Sequence, residues 1–210
     1  MQAFSLAIIS LCLASDAWAQ KPHPCTSPPL LVGSFSAAGP GGKFWSYGKY
    51  NYDALGQRVR FFEYGKTKNE TFFMDLLMLF QEGVLYEISW ETQSCEKMAL
   101  EESFHPMEVP HNSTFLGQTV IGSSSGHGQG LLVNTWAGEV EEAHAKYMTT
   151  VTEHGCLPVS SLYHTEETGW MVISYFDNLI GIEDPQVFFP PPFCQTAKIE
   201  GTTNFLKVVF

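Results

Sequence analysis

From residue 30 onward the chain is a succession of short β-branched and aromatic segments broken by Gly, Asn, Asp and Pro, with little helical period. This pattern constrains the fold more than any other feature. Segments so short satisfy their backbone donors and acceptors by pairing edge to edge, so an antiparallel β protein is expected. Candidate strands cover 43–52, 57–65, 71–80, 84–90, 94–99, 130–137, 145–153, 158–164 and 169–177, and Gln81-Glu82-Gly83 reads as a hairpin turn between two apolar runs. Two helix-friendly stretches interrupt the pattern. Residues 101–110, with Glu101 and Glu102 ahead of Pro106 and Pro110, are expected as a short helix or an ordered loop, and 138–146 as a loop or single turn.

An uncharged apolar run, 4–14, leads into Ala17-Trp18-Ala19, a small-x-small site that a signal peptidase accepts. Residues 1–19 are therefore expected to be a secretory signal, and no later run reaches the ~18 apolar residues of a membrane-spanning helix. One domain is expected over 20–194, opening with a Pro-rich arm tied down at Cys25, followed by a tail over 195–210. Of the five cysteines, Cys12 falls in the leader, leaving Cys25, Cys95, Cys156 and Cys194 for an oxidising compartment. Two disulfides are expected, and spacing alone leaves their connectivity open. Asn69-Glu70-Thr71 and Asn112-Ser113-Thr114 are N-glycosylation sequons consistent with that route.

The chain carries 22 acidic against 11 basic residues, a formal net charge of -11, with the basic residues scattered. A nucleic-acid partner is disfavoured, whereas divalent cations and basic surfaces are electrostatically matched. Gly122-Ser123-Ser124-Ser125-Gly126 has the spacing of a hydrolase nucleophile elbow, but that device needs a helix after the serine. Here Gly126-His127-Gly128-Gln129-Gly130 follows, a very poor helix start. No P-loop, dinucleotide fingerprint, His-Glu-x-x-His or Cys-x-x-Cys is present. No catalytic residue is assigned, and the chain is read as a binding protein. Acidic clusters at Glu101/Glu102, Glu139/Glu141/Glu142, Glu166/Glu167 and Glu183/Asp184 offer oxygen ligands for calcium, although no EF-hand loop exists and no ligand set is specified.

Aromatic weight is the remaining feature, with 16 Phe, 8 Tyr and 5 Trp. Several strands look apolar on both faces, which fits a sheet buried on both sides, an apolar cavity, or a dimer face. In 84–90, period two groups Val84, Tyr86, Ile88 and Trp90 on one face. Together with Phe62, Tyr64, Phe73, Leu77, Leu79 and Trp136 they form the candidate ligand-pocket set.

Several motifs resemble the ependymin family: Pro24-Cys25-Thr26-Ser27-Pro28-Pro29, the run from Leu77 to Tyr86, Cys95-Glu96-Lys97-Met98, Trp136, Gly155-Cys156-Leu157-Pro158, and Phe188-Phe189-Pro190-Pro191-Pro192-Phe193-Cys194. The resemblance covers about residues 24–195. It implies a mainly β fold with few short helices, in which two stacked antiparallel sheets form an open curved half-barrel around an apolar pocket. It further implies a secreted glycoprotein that binds a lipid or other hydrophobic small molecule, associates with calcium and extracellular matrix, forms a homodimer, and in some relatives is found in lysosomes. The family's long-range pairing, carried onto this chain, joins Cys25 to Cys156 and Cys95 to Cys194. An extracellular adhesion protein whose apolar face serves only dimerisation is the alternative.

Overall fold

The computed structural model describes residues 22–42, 44–140, 145–165 and 169–203. The expected signal 1–19, Cys12, and 204–210 of the tail lie outside the described residues, as do Glu141, Glu142, Glu166 and Glu167 of the acidic clusters.

Among the described residues, twelve strands join edge to edge in the order β12-β6-β5-β4-β3-β2-β1-β11-β10-β9-β8-β7. The strands are β1 (Leu30–Ala38), β2 (Phe44–Asp53), β3 (Arg58–Thr67), β4 (Thr71–Leu79), β5 (Val84–Ser89), β6 (Ser94–Leu100), β7 (Thr114–Gly122), β8 (Gly130–Val140), β9 (Ala145–Thr152), β10 (Pro158–Thr165), β11 (Gly169–Ile180) and β12 (Ile199–Thr203). The expected mainly β, open, curved architecture is present, as one continuous unclosed sheet rather than two separate ones. β1 holds the two halves together, pairing with β2 on one side and β11 on the other. The pairing is antiparallel except at the edge, where β12, formed by the first part of the expected tail, runs parallel to β6.

The stretch 101–110 contains no helix and crosses from β6 to β7 as an ordered loop. It is held by the Tyr52 hydroxyl, which accepts from the Met107 amide at 2.9 Å, and by stacking of Phe104 on Tyr52 with ring centroids 5.9 Å apart. The two prolines at 106 and 110 explain this outcome, since neither leaves room for a helical turn between them. The Gln81-Glu82-Gly83 hairpin forms as expected, with Gly83 at φ 63, a conformation glycine adopts without strain.

Three apolar clusters stabilise the fold. The largest lies on one face of the sheet, here called inner, and includes Leu31, Phe35, Tyr50, Tyr52, Val59, Phe61, Leu76, Met78 and Leu85. A second lies on the opposite, outer face, where Leu77, Leu79, Val84, Tyr86 and Ile88 pack against Phe188 and Cys194 of the segment after β11. The third surrounds the Cys25–Cys156 disulfide with Val109, Val151 and Trp136.

Candidate binding site on the inner face

Register assigns each side chain to a face, because residues directly opposite one another on adjacent strands project the same way. Tyr50, Phe61 and Leu76 form one inner row across β2, β3 and β4, and Tyr52, Val59 and Met78 the next. The second row is capped by Phe104, which meets Phe80 at 5.3 Å as well as Tyr52. Toward the opposite ends of the same strands the inner face is less covered. Phe44 and Phe72 stack there at 5.9 Å, and Met74, Tyr163 and Tyr175 are partly buried against the core. One end of this apolar trough is thus stoppered by the crossing loop, while the other presents half-buried aromatic and thioether surface.

Gly48 is required for the packing between them. A Cβ at this position would collide with the Phe62 carbonyl and the edge of the Phe35 ring. The space it leaves admits Phe35, whose ring packs edge-on to Phe61 at 5.5 Å.

Polar groups also project onto this face. Glu63, 3% exposed, stands opposite Gly48 and Met74, and no ion pair among the described residues includes it. Burial raises its carboxyl above the usual carboxylate range, the nearby Ser46 hydroxyl opposing the shift. Burial likewise keeps the Tyr50 and Tyr175 phenols neutral at any physiological pH. Trp136 Nε1, buried on the inner face, has no protein hydrogen-bond partner among the described residues.

The raised value at Glu63 has a stability consequence. The folded state holds this proton more tightly than the unfolded chain, so the group's contribution is fully present below the ordinary carboxylate value and is lost as pH rises through the raised one. Glu63→Gln should therefore raise the thermal midpoint at pH 7 and leave it nearly unchanged near pH 4. A midpoint shift of equal size at both pH values would refute the assignment; differential scanning calorimetry reads it directly.

The ten residues singled out from sequence fall on two faces. Phe62, Tyr64, Phe73, Leu77, Leu79, Val84, Tyr86, Ile88 and Trp90 share the outer face, and Trp136 is on the inner one. Leu77, Leu79, Val84, Tyr86 and Ile88 are covered by the chain's own segment around Phe188 and Cys194, so these side chains face protein rather than the trough. Tyr64 and Phe73 are exposed, at 51% and 62%. The trough residues Phe35, Phe44, Phe61, Phe72 and Met74 are their alternate neighbours along the same or adjacent strands. Sequence reasoning took 61–64 and 72–80 whole and could not separate Phe61, Phe72 and Met74 from their outer-face neighbours, because β3 and β4 carry apolar side chains at both parities; it did not single out Phe35 or Phe44, on β1 and β2.

The segment covering the outer face is firmly anchored. Arg60 and Asp75 form a buried bidentate pair at 2.7 Å, Arg60 also donates to the Val187 carbonyl, and the Trp90 indole donates to Asp75 at 2.6 Å. Arg58 lies over the Phe188 ring at 4.5 Å, and the Cys95–Cys194 disulfide ties the segment to β6. Both disulfides have the connectivity expected from the resemblance, with Cα–Cα distances of 6.0 and 5.2 Å.

The remaining sequence candidates are surface features. Asn69, in the β3–β4 turn, and Asn112, ahead of β7, are both exposed. Gly122-Ser123-Ser124-Ser125-Gly126 belongs to the connection of the β7–β8 hairpin, so Ser124 lies between two strands instead of before a helix. Among the described residues no group of three or more His, Cys, Asp or Glu side chains converges as a metal site, and no helix is long and apolar enough to cross a membrane.

Comparisons with known proteins agree with this architecture. A crystal structure of an uncharacterized conserved protein from Thermus thermophilus superposes with a TM-score of 0.50 over 86% of this chain and 91% of that one, at 6% identity, a likeness of fold alone. Ependymin-2 of Carassius auratus is 37% identical over 196 residues, covering 93% of this chain and 91% of the relative. Mammalian ependymin-related protein 1 of Mus musculus is 32% identical, covering 87% and 81% respectively. The ependymin family profile matches residues 68–194, a span that includes the strands of the outer-face cluster and the segment that covers it. With that match, and with identities above 30% along nearly its whole length, the chain belongs to the ependymin family of secreted, extracellular proteins.

Proposed function

We propose that this protein is a non-enzymatic carrier of a hydrophobic small molecule, most simply a lipid, held along the inner face of the sheet. The observation that carries the reading is the uneven covering of that face: Phe44, Phe72, Met74 and Tyr175 remain half-buried at the end away from the crossing loop. Apolar surface of this kind gains free energy from an apolar occupant, by about 25 cal/mol for each Å² withdrawn from water.

A second reading is favoured by the outer face. Tyr47, Tyr64 and Phe73 stand directly opposite one another across β2, β3 and β4, with Trp45 at 6.1 Å from Tyr64, and all four are exposed. An aromatic patch of this extent is suited to a protein interface, and homodimerisation there is compatible with a carrier whose trough lies on the other side. Calcium association, in this reading, involves the acidic surface and the glycans at Asn69 and Asn112, and supports contact with matrix.

Native mass spectrometry of secreted protein tests the proposal in one measurement. Wild type should retain apolar ligand, and Phe72→Glu should lose it while remaining folded, because an ionised carboxylate at the mouth of the trough is disfavoured beside a hydrocarbon chain. Tyr64→Glu, on the outer face, should keep ligand and lose the dimer mass. Calcium adducts should diminish after enzymatic removal of the glycans. Ligand retained by Phe72→Glu at wild-type occupancy would refute the inner-face site.

A further inference from the structure

The charges of the sheet are sorted by face. The Lys and Arg residues of the described strands are Lys49, Arg58, Arg60, Lys66, Lys97 and Lys146. Register puts every one of them on the outer face: Lys49 stands opposite Phe62, Arg58 and Arg60 opposite Leu79 and Leu77, Lys97 opposite Tyr86, Lys66 opposite Trp45, and Lys146 in one rung with His164 and Trp170. The inner face of the same sheet carries carboxylates instead. Glu87 and Glu96, both exposed, share a rung with Phe61 and Leu76, and Glu63 lies one rung nearer the open end of the trough. The field over the inner face is therefore negative, with no strand cation projecting into it.

Glu63 differs from the other two in being buried, at 3% exposure. No ion pair or side-chain hydrogen bond among the described residues satisfies its carboxylate: the Ser46 hydroxyl is near enough to ease ionisation, yet its oxygen completes no hydrogen bond. The positions beside it on this face, Gly48 across the ladder and Gly65 along β3, carry no side chain, and the rings of Phe35 and Phe72 lie over them. Its neighbour on β4 is Met74, which is only partly buried, as is Phe72 at the mouth of the trough. An unpaired carboxylate among aromatic and thioether groups is costly to ionise, and burial raises this carboxyl accordingly. A cationic group beside it would offset that cost.

From this placement we propose that Glu63 is the headgroup subsite of the trough, and that the ligand is a cationic amphiphile: an alkyl chain ending in a protonated amine, which donates to the Glu63 carboxylate. The inference rests on the carrier reading and names the chemical class carried. The chain lies along the apolar trough, and the amine reaches Glu63 by displacing Met74, an unbranched side chain that rearranges at small cost. Fatty acids are excluded by the same field, since their carboxylate meets one of like sign with no Lys or Arg of the strands to balance the two.

The test is titration calorimetry at pH 7 on the full secreted chain, freed of copurified lipid, with decylamine, 1-decanol, decanoate and butylamine as probes below their micellar concentrations. Decylamine should bind about tenfold or more tightly than decanol, the scale of one charge-assisted hydrogen bond, and decanoate more weakly than decanol. Glu63→Gln, which keeps the shape of the side chain, should lower the decylamine affinity by about tenfold and leave that of decanol unchanged, a selectivity loss that a merely structural role for Glu63 would not produce. Butylamine, which has the charge without the chain, should not bind. Decanoate binding as tightly as decylamine, or decylamine affinity unchanged in Glu63→Gln, would overturn the headgroup subsite while decanol binding keeps the carrier reading intact. Butylamine binding as tightly as decylamine would overturn the subsite as well, reducing it to attraction by the acidic surface. Absence of saturable binding by decylamine, decanol and decanoate alike would overturn both.

Discussion

Asp75→Ala should destabilise this protein by about 3–5 kcal/mol, the range for removing one partner of a buried ion pair. Asp75 is fully buried and Arg60 is 4% exposed, so deletion of the carboxylate strands a guanidinium that cannot reach water. The same substitution removes the acceptor of the Trp90 indole, and it loosens the segment that Arg60 holds through the Val187 carbonyl. The effect should therefore exceed that of breaking the pair between Arg58 and Asp53, where the Arg58 side chain is 28% exposed and solvent screens the charge left behind. Urea denaturation of the secreted variant with both disulfides intact is the measurement. A loss below about 1 kcal/mol would mean that Arg60 finds another partner and that the anchor is not what secures the covering segment.

Replacing both Cys25 and Cys156 with Ala should cost about 4–5 kcal/mol if the chain-entropy account of disulfides holds, because the bridge closes a loop spanning 131 residues. The bridge also holds the N-terminal arm against the loop between β6 and β7, where the Ser27 amide donates to the Met107 carbonyl and the Val109 amide to the Cys25 carbonyl. With the arm released, Val109 and Trp136 lose the cover that keeps them 2% and 3% exposed. Equilibrium denaturation should show the loss, and hydrogen exchange should show it spreading to β8 and β9 before the Leu77–Ile88 region opens. A variant within about 1 kcal/mol of wild type would indicate that the non-covalent contacts of the arm suffice.

The interior of the sheet was largely legible in the sequence. Period two, together with Gly and Asp at the turns, located β2 through β6 and β8 through β11 to within a few residues. Three strands escaped it for local reasons. β1, Leu30–Ala38, is rich in small residues and contains Gly33; β7, Thr114–Gly122, is an edge strand with mostly exposed side chains; β12, Ile199–Thr203, is short and almost wholly exposed. Each lacks the strong apolar alternation that marks a half-buried strand.

Period two also grouped the candidate pocket residues correctly among themselves, since Val84, Tyr86 and Ile88 do project together with Leu77 and Leu79. What it could not supply was the identity of that face. In β4, Leu76, Leu77, Met78 and Leu79 are all buried, alternately toward the inner core and toward the outer one. Alternation separates two faces only when one of them is polar, and here neither is. The sequence by itself determined the strand pattern, the exposed turn at Asn69 and the surplus of acidic charge. Its motifs, matched to a family, supplied the disulfide connectivity. Only the tertiary structure decided which apolar face is left partly uncovered, because the layer that covers the other one arrives from Val187, Phe188 and Cys194, roughly a hundred residues further along the chain. Periodicity is a property of neighbouring residues, whereas burial depends on what packs against them from elsewhere.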